Sequence, residues 1–439
     1  MKRVLLVPSD HGGGRGHVAR CLYLAKTMRA AGLETALVLE NKHFQQGINA
    51  GLPTYLLNTR RERFLRWQLK KPHRPRVEMM SPPQNSPVFL AFDGLAYQIP
   101  RDGYVSPGIV KYRFRQMEKI VNRFKPDVLI GDTHFLTFLL GRKYNLPVVQ
   151  ITRLAGYPPK PNFFWWLRKK PKFLKPDALA PFEPLLDQLA VQDVEKVEDL
   201  LRGDVYLVPA SRDVEPIRDK EHKVVFSGPL AELSSTRQKI PFFDAQNEIP
   251  RIYVTIGGGA GRFSEQQFFE AILRIFDRTD FKVLVTTGRR LPAKLFQGKS
   301  ANVVFTDWVD GLSAIQQSDL VIQHGGYGST MEILLSGKPS IVIPFHSEQE
   351  GNGRRLKKLG VGDLLLPYED ETLYDLKFRW PYGEYAMKAA ARLHLKPEML
   401  FPMIDMIYDQ QVYERLGKVQ RKLQKLQETF DPWNLLNMV

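Results

Sequence analysis

The run His324-Gly325-Gly326-Tyr327-Gly328-Ser329-Thr330-Met331-Glu332 carries the most informative chemistry in the chain. It follows the apolar stretch Leu320 to Gln323, which reads as a buried strand, and it opens a helix. Glycines let a phosphate come close to the backbone, and a helix N-terminus offers free N–H groups and a positive dipole end. Ser329 adds a hydroxyl donor, and His324 can donate from its ring. Glu332, one turn into the helix, can accept from sugar hydroxyls. A Gly-rich turn alone would be only a tight strand-to-helix connection; His, glycines, Ser and Glu together are far more specific. Further on, Glu348 and Gln349 follow the strand ending near Pro344. An acid beside an amide suits a hexose, whose hydroxyls need both donors and acceptors, and ligands bind at the carboxyl ends of strands in open α/β sheets.

Such residues need a scaffold. Val4 to Val7 reads as a strand, a Gly-rich loop over 12–16 follows, and Val18 to Ala31 has helical periodicity ending at Gly32. Thr35 to Leu39 reads as the next strand, and Val128 to Ile130 as another, entering Gly131-Asp132. A second α/β pattern starts at Ile252 to Ile256, followed by Gly257 and Gly258. This succession implies parallel sheets with helices on their faces. Residues 59–107, rich in Arg, Lys and Pro, read as loops. The expected division is 1–230, a linker over 231–250, 251–410, and a C-terminal helix over 411–439 that packs back on the N-terminal part. Residues 367–393 look like an insertion with no assigned chemistry.

The chain has 439 residues and 63 Lys+Arg against 47 Asp+Glu, a net charge of +16. Such an excess favours anionic partners, but no RNA or DNA module is recognisable, so no nucleic acid is expected. The single cysteine, Cys21, excludes an intramolecular disulfide and fits a reducing compartment. No apolar run approaches the ~20 residues a spanning helix needs. The expected location is cytoplasmic. Phe163, Trp165 and Trp166 beside Arg168, Lys169 and Lys170 could meet an anionic membrane surface at its inner face; a helix with buried aromatics and solvated lysines is the competing reading. With one Cys and scattered His, no zinc site is visible, and no metal or cofactor is expected.

From Trp308 through the run His324 to Phe345 to Glu348-Gln349, the sequence resembles the family-1, UDP-glycosyltransferase-like, nucleotide-sugar-dependent glycosyltransferases of the GT-B fold. The resemblance implies two Rossmann-like doubly wound α/β domains facing each other across a cleft. It implies that Trp308 stacks on the nucleobase and that His324, Gly326, Gly328 and Ser329 hold the diphosphate. Glu332 would bind the ribose, Glu348 and Gln349 the transferred sugar, and Gly257 and Gly258 would face the phosphates. The family's Pro-Gln after the tryptophan is Val309-Asp310-Gly311 here. Gly16-His17, in the loop entering the first helix, resembles the family's Gly-His motif, whose histidine is the catalytic base. The family's proline three residues later is Arg20 here. Asp132 resembles the aspartate that orients that histidine.

The implied activity is an inverting, metal-independent hexosyl transfer from a nucleotide-diphosphate sugar, UDP- or TDP-linked, to an acceptor hydroxyl. A neutral imidazole is suited to take the acceptor proton, and an aspartate on its other nitrogen fixes the tautomer. His11 is the runner-up base. Gly14, Gly16 and His134 are acceptor-loop candidates. The expected acceptor is a small apolar molecule or a lipid. Alternatives are a membrane-surface transferase acting on a lipid-linked intermediate, a same-fold sugar-nucleotide epimerase, and a non-catalytic sugar-nucleotide-binding protein.

Overall fold

A computed structural model describes residues 1–10, 15–57, 64, 77–80, 86–162, 171–231, 238–243, 248–257 and 265–439. In the N-terminal half the strands are β1 (Arg3–Pro8), β2 (Glu34–Glu40), β3 (Thr54–Leu57), β4 (Glu78–Met79) and β5 (Phe89–Ala91). They continue with β6 (Val128–Asp132), β7 (Val148–Ile151), β8 (Val205–Val208) and β9 (Lys223–Phe226). The C-terminal half adds β10 (Arg251–Thr255), β11 (Lys282–Thr286), β12 (Val303–Thr306), β13 (Leu320–Gln323), β14 (Ser340–Val342) and β15 (Gly362–Leu364). A hairpin of β16 (Tyr374–Trp380) and β17 (Gly383–Ala390) completes the set.

Two parallel sheets form the frame. The first runs β3-β2-β1-β6-β7-β8-β9 and the second β12-β11-β10-β13-β14-β15. Their strands are short continuous apolar runs because helices cover both faces. Val4, Leu5, Leu6 and Val7 are each at most 1% exposed, although successive side chains point to opposite faces. In each sheet the strand order reverses once, between β1 and β6 and between β10 and β13. These switch points open a crevice at the strands' carboxyl ends, where a ligand can enter.

The third sheet, β4-β16-β17-β5, is antiparallel and joins distant parts of the chain. Residues 59–107 were expected to be loops; within the described part, β4 and β5 are instead strands, and Gln98–Arg101 is a helical turn. The pairing partner explains the difference. Leu90 meets Ala389 across about 300 residues of sequence, so no local pattern announces it. The 367–393 insertion is therefore largely this hairpin. Leu376, Phe378 and Trp380 alternate inward along β16 and share one core with Leu5, Val7, Phe114 and Leu129.

The C-terminal end also crosses over. The helix Gln410–Glu428 buries Val412, Leu416, Val419 and Leu423, while Leu426 remains partly exposed. Beyond it, Leu435 and Leu436 join the core formed by Val4, Leu6, Leu24 and Leu37. Trp433 Nε1 donates to Ala31 O at 2.8 Å. Among the described residues no helix is long and apolar enough to cross a membrane.

Candidate active site

The first switch point places His17 and Asp132 together. Asp132 ends β6, in register with Pro8 at the end of β1, and Ser9 N donates to its carbonyl at 2.9 Å. His17 lies in the first turn of the helix Arg15–Ala30, which the chain enters after β1. Its Nδ1 is 2.7 Å from Asp132 Oδ1. Thr133, next in sequence, has φ +55°, an uncommon left-handed conformation that turns the chain sharply after the carboxylate. Asp132 is 1% exposed, and burial alone would raise its pKa. The charges and hydrogen bonds of Arg20 and His17 outweigh burial and hold the carboxyl well below the usual range. Arg20 grips Asp132 with Nε on Oδ2 and Nη2 on Oδ1, both at 3.0 Å.

The second switch point places Gly257 and His324 together. Gly257 has φ +69°, and a Cβ there would lie 2.5 Å from the His324 ring. A Cβ on Gly326 would lie 2.3 Å from His324 Nε2, so glycine on both sides leaves the space that the imidazole fills. Burial, then the charges of His346 and Arg290, push the His324 pKa down to about 3. The ring is thus neutral at pH 7, and its Nδ1 has no hydrogen-bond partner. Gly326 precedes the helix Tyr327–Leu335. The first N–H groups of that helix lack carbonyl partners within it, and Gly328 beside them is exposed.

Glu332 lies one turn into this helix and lines the same cavity as Gly328. Burial and the neighbouring Asp310 raise the Glu332 pKa to about 7. Trp308 is 57% exposed, open for stacking. Asp310, at the place of departure from the family pattern, caps the helix Gly311–Gln317 by accepting from Ser313 N at 2.9 Å.

The two halves meet at the site. Arg153, just past β7, forms an ion pair with Glu348, and its guanidinium carbon sits 4.6 Å from the centre of the Tyr327 ring. Burial would raise the Glu348 pKa, but Arg153 and His346 bring it down to about 2. Ser347 Oγ accepts from Phe92 N at 2.8 Å and donates to Phe92 O at 2.7 Å. The Phe92 ring stacks on His346, with centroids 5.8 Å apart. A cavity of about 290 Å³ lies between the halves, lined by Gly16, Arg20 and Tyr23 on one side and Tyr327, Gly328 and Glu332 on the other.

Of the residues expected from sequence, the structure brings together His17 with Asp132, Gly257 and Gly326 with His324, and Gly16, Gly328 and Glu332 around one cavity. Ser329 is partly exposed in the same helical turn. Gln349 is 8% exposed, and its Oε1 accepts from Phe345 N at 2.8 Å. His134 is 2% exposed, its Nδ1 lies 3.2 Å from Thr137 Oγ1, and burial with Arg113 nearby pushes its pKa down to about 3. It is packed within the N-terminal half. His11, Gly14, Gly258 and the aromatic-basic set Phe163, Trp165, Trp166, Arg168, Lys169 and Lys170 lie outside the described residues. Arg153, Ser347 and Phe92 were not anticipated. Arg153 carried one signal, its place just beyond the carboxyl end of a strand.

Residues 252–377 match the glycosyltransferase family 28 C-terminal domain. The NDP-glycosyltransferase YjiC of Bacillus subtilis (strain 168) is 25% identical over 265 residues, covering 60% of this chain and 65% of that protein. The match therefore spans just under two thirds of that relative's length. The calicheamicin glycosyltransferase CalG4 superposes with a TM-score of 0.65 at 18% identity, covering 97% of this chain and 95% of its own. Spinosyn rhamnosyltransferase SpnG, solved with thymidine diphosphate, gives a TM-score of 0.60 at 15% identity, covering 96% of each chain. The chain has the GT-B fold of the nucleotide-sugar glycosyltransferases, two Rossmann-like domains across a cleft.

Proposed function

We propose that this protein is an inverting glycosyltransferase that moves a hexosyl group from a nucleotide-diphosphate sugar, UDP- or TDP-linked, to a hydroxyl of an apolar acceptor. The observation that carries this reading is the pairing of the two switch points: a His17–Asp132 dyad in one sheet and a helix N-terminus at Tyr327 in the other, with Arg20 and Arg153 both against the Tyr327 ring. His17 Nε2 takes the acceptor proton while Asp132 holds Nδ1–H. The acceptor oxygen forms its bond to the anomeric carbon as the bond to the diphosphate breaks, and that electron pair leaves with the nucleoside diphosphate. The N–H groups at the helix start, with Ser329 and neutral His324, receive the developing charge in place of a metal. Glu332 meets the ribose, Trp308 the base, and Glu348 and Gln349 the sugar. Phe92, stacked on His346 and near Tyr97, supplies an aromatic wall that favours an apolar acceptor.

The test is nucleoside diphosphate release from a panel of UDP- and TDP-sugars, with aromatic and alkyl-alcohol acceptors present. Wild type should turn over at least one donor, and His17→Ala should lose about 10²–10⁴-fold in rate. Equal rates would remove His17 as the base. Donor binding without release, with every acceptor, would favour a non-catalytic sugar-nucleotide-binding protein.

A further inference from the structure

Arg20 is three residues after His17 on the same helical face, and its side chain is only 10% exposed. It does more than brace Asp132. His17 Nδ1 faces an acceptor and a donor at once: Asp132 Oδ1 at 2.7 Å and Arg20 Nη2 at 2.9 Å. A ring nitrogen cannot give a proton to the carboxylate and accept one from the guanidinium together. With the proton on Nδ1 and bonded to Asp132, the Nε2 lone pair is free. With Arg20 donating instead, Nε2 holds the ring's proton and the imidazole is not a base.

Charge acts in the same direction. Asp132, Arg20 and a neutral His17 sum to zero, and proton uptake takes them to +1. A His–Asp pair alone would go from −1 to zero. The other groups around the ring do not restore the difference. Glu348, which interacts with His17 from the second half of the chain, is balanced by Arg153. Cys21, on the Asp132 side, is a buried thiol kept neutral by burial and the Asp132 charge. The positive charge of Arg20 therefore offsets part of what the imidazolium gains from Asp132, and the acceptor must contribute more acidity of its own. A phenolic hydroxyl ionises near ~10, a water-like hydroxyl near ~16.

We propose that Arg20 is a positioning residue that, through Asp132 and His17 Nδ1, restricts transfer to acceptor hydroxyls of phenolic acidity. This rests on the transferase reading above. The same balanced step applies: the phenolic proton passes to His17 Nε2, the oxygen bonds to the anomeric carbon, and the nucleoside diphosphate leaves with the electron pair.

The experiment compares kcat/KM for phenol, 4-nitrophenol and cyclohexanol with one productive nucleotide sugar in wild type, Arg20→Gln and Arg20→Lys. Wild type should favour the phenols by about 100-fold or more, Arg20→Gln should narrow that gap by about tenfold, and Arg20→Lys, which keeps the charge, should preserve it. Glutamine can still donate to Asp132, so the fold is retained, and a purely structural loss would lower all three acceptors together without changing the gap. An unchanged gap in Arg20→Gln, or a wild type that favours cyclohexanol, would overturn the proposal. No diphosphate release by any protein with any acceptor would instead remove the transferase reading and this proposal with it.

Discussion

Glu332 keeps its proton up to about pH 7, chiefly through burial and then through Asp310. An unfolded glutamate loses its proton near ~4.3. Between these values the folded chain binds more protons than the unfolded one, so stability rises as pH falls through 7 toward the unfolded value. Glu332→Gln should therefore raise stability at pH 8 by about 1–3 kcal/mol and change it little at pH 4, read from urea midpoints at both pH values. Glu348 has the opposite sign. Its pKa of about 2 means that its ion pair with Arg153 contributes above the unfolded value and is lost as pH falls toward 2. That His324, Ser329 and Glu332 lie close together could be read from the sequence because they share one strand-to-helix turn. Arg20 was legible only as a departure from a pattern. Its carboxylate partner lies more than 100 residues away, which no spacing rule reports.

At the scale of elements, the helix Ser347–Leu359 is attached to the N-terminal half at its first residue. Leu90 N donates to Phe345 O at 2.9 Å, and Ser347 Oγ satisfies both backbone groups of Phe92. Ser347 is 0% exposed, so its loss would remove that partner from two partly buried backbone groups. Ser347→Ala should cost about 2–4 kcal/mol in stability and raise the KM for the donor, since Glu348 is the next residue. Chemical denaturation and initial rates check the two parts separately. Most of the parallel strands were readable as local apolar runs flanked by turn residues, but β3, β8, β9 and β15 were not read from the sequence. Strands β4 and β5 were not, because their short sequences become strands only when the distant hairpin pairs with them.

The whole molecule has two parallel sheets but not two separable units. Leu376, Phe378 and Trp380 from the late hairpin occupy the core of the early sheet, and Tyr327 and Leu423 share a core with Tyr206 and Val208. Trp380→Ala should cost about 3–5 kcal/mol, and urea unfolding followed by fluorescence and circular dichroism should give one coincident transition. Two resolved transitions would contradict this coupling. The charge of +16 is unevenly divided: residues 1–230 hold 37 Lys+Arg against 22 Asp+Glu, so the surplus lies almost wholly in the N-terminal half. The crossover has a consequence during synthesis. As the chain emerges from the ribosome, the sheet of β1 and β6 and its own helices are translated first, yet part of each apolar face must wait for residues 374–390 and then for Leu435 and Leu436. A nascent chain halted between the two halves would leave those apolar patches open, the kind of intermediate that calls for a chaperone.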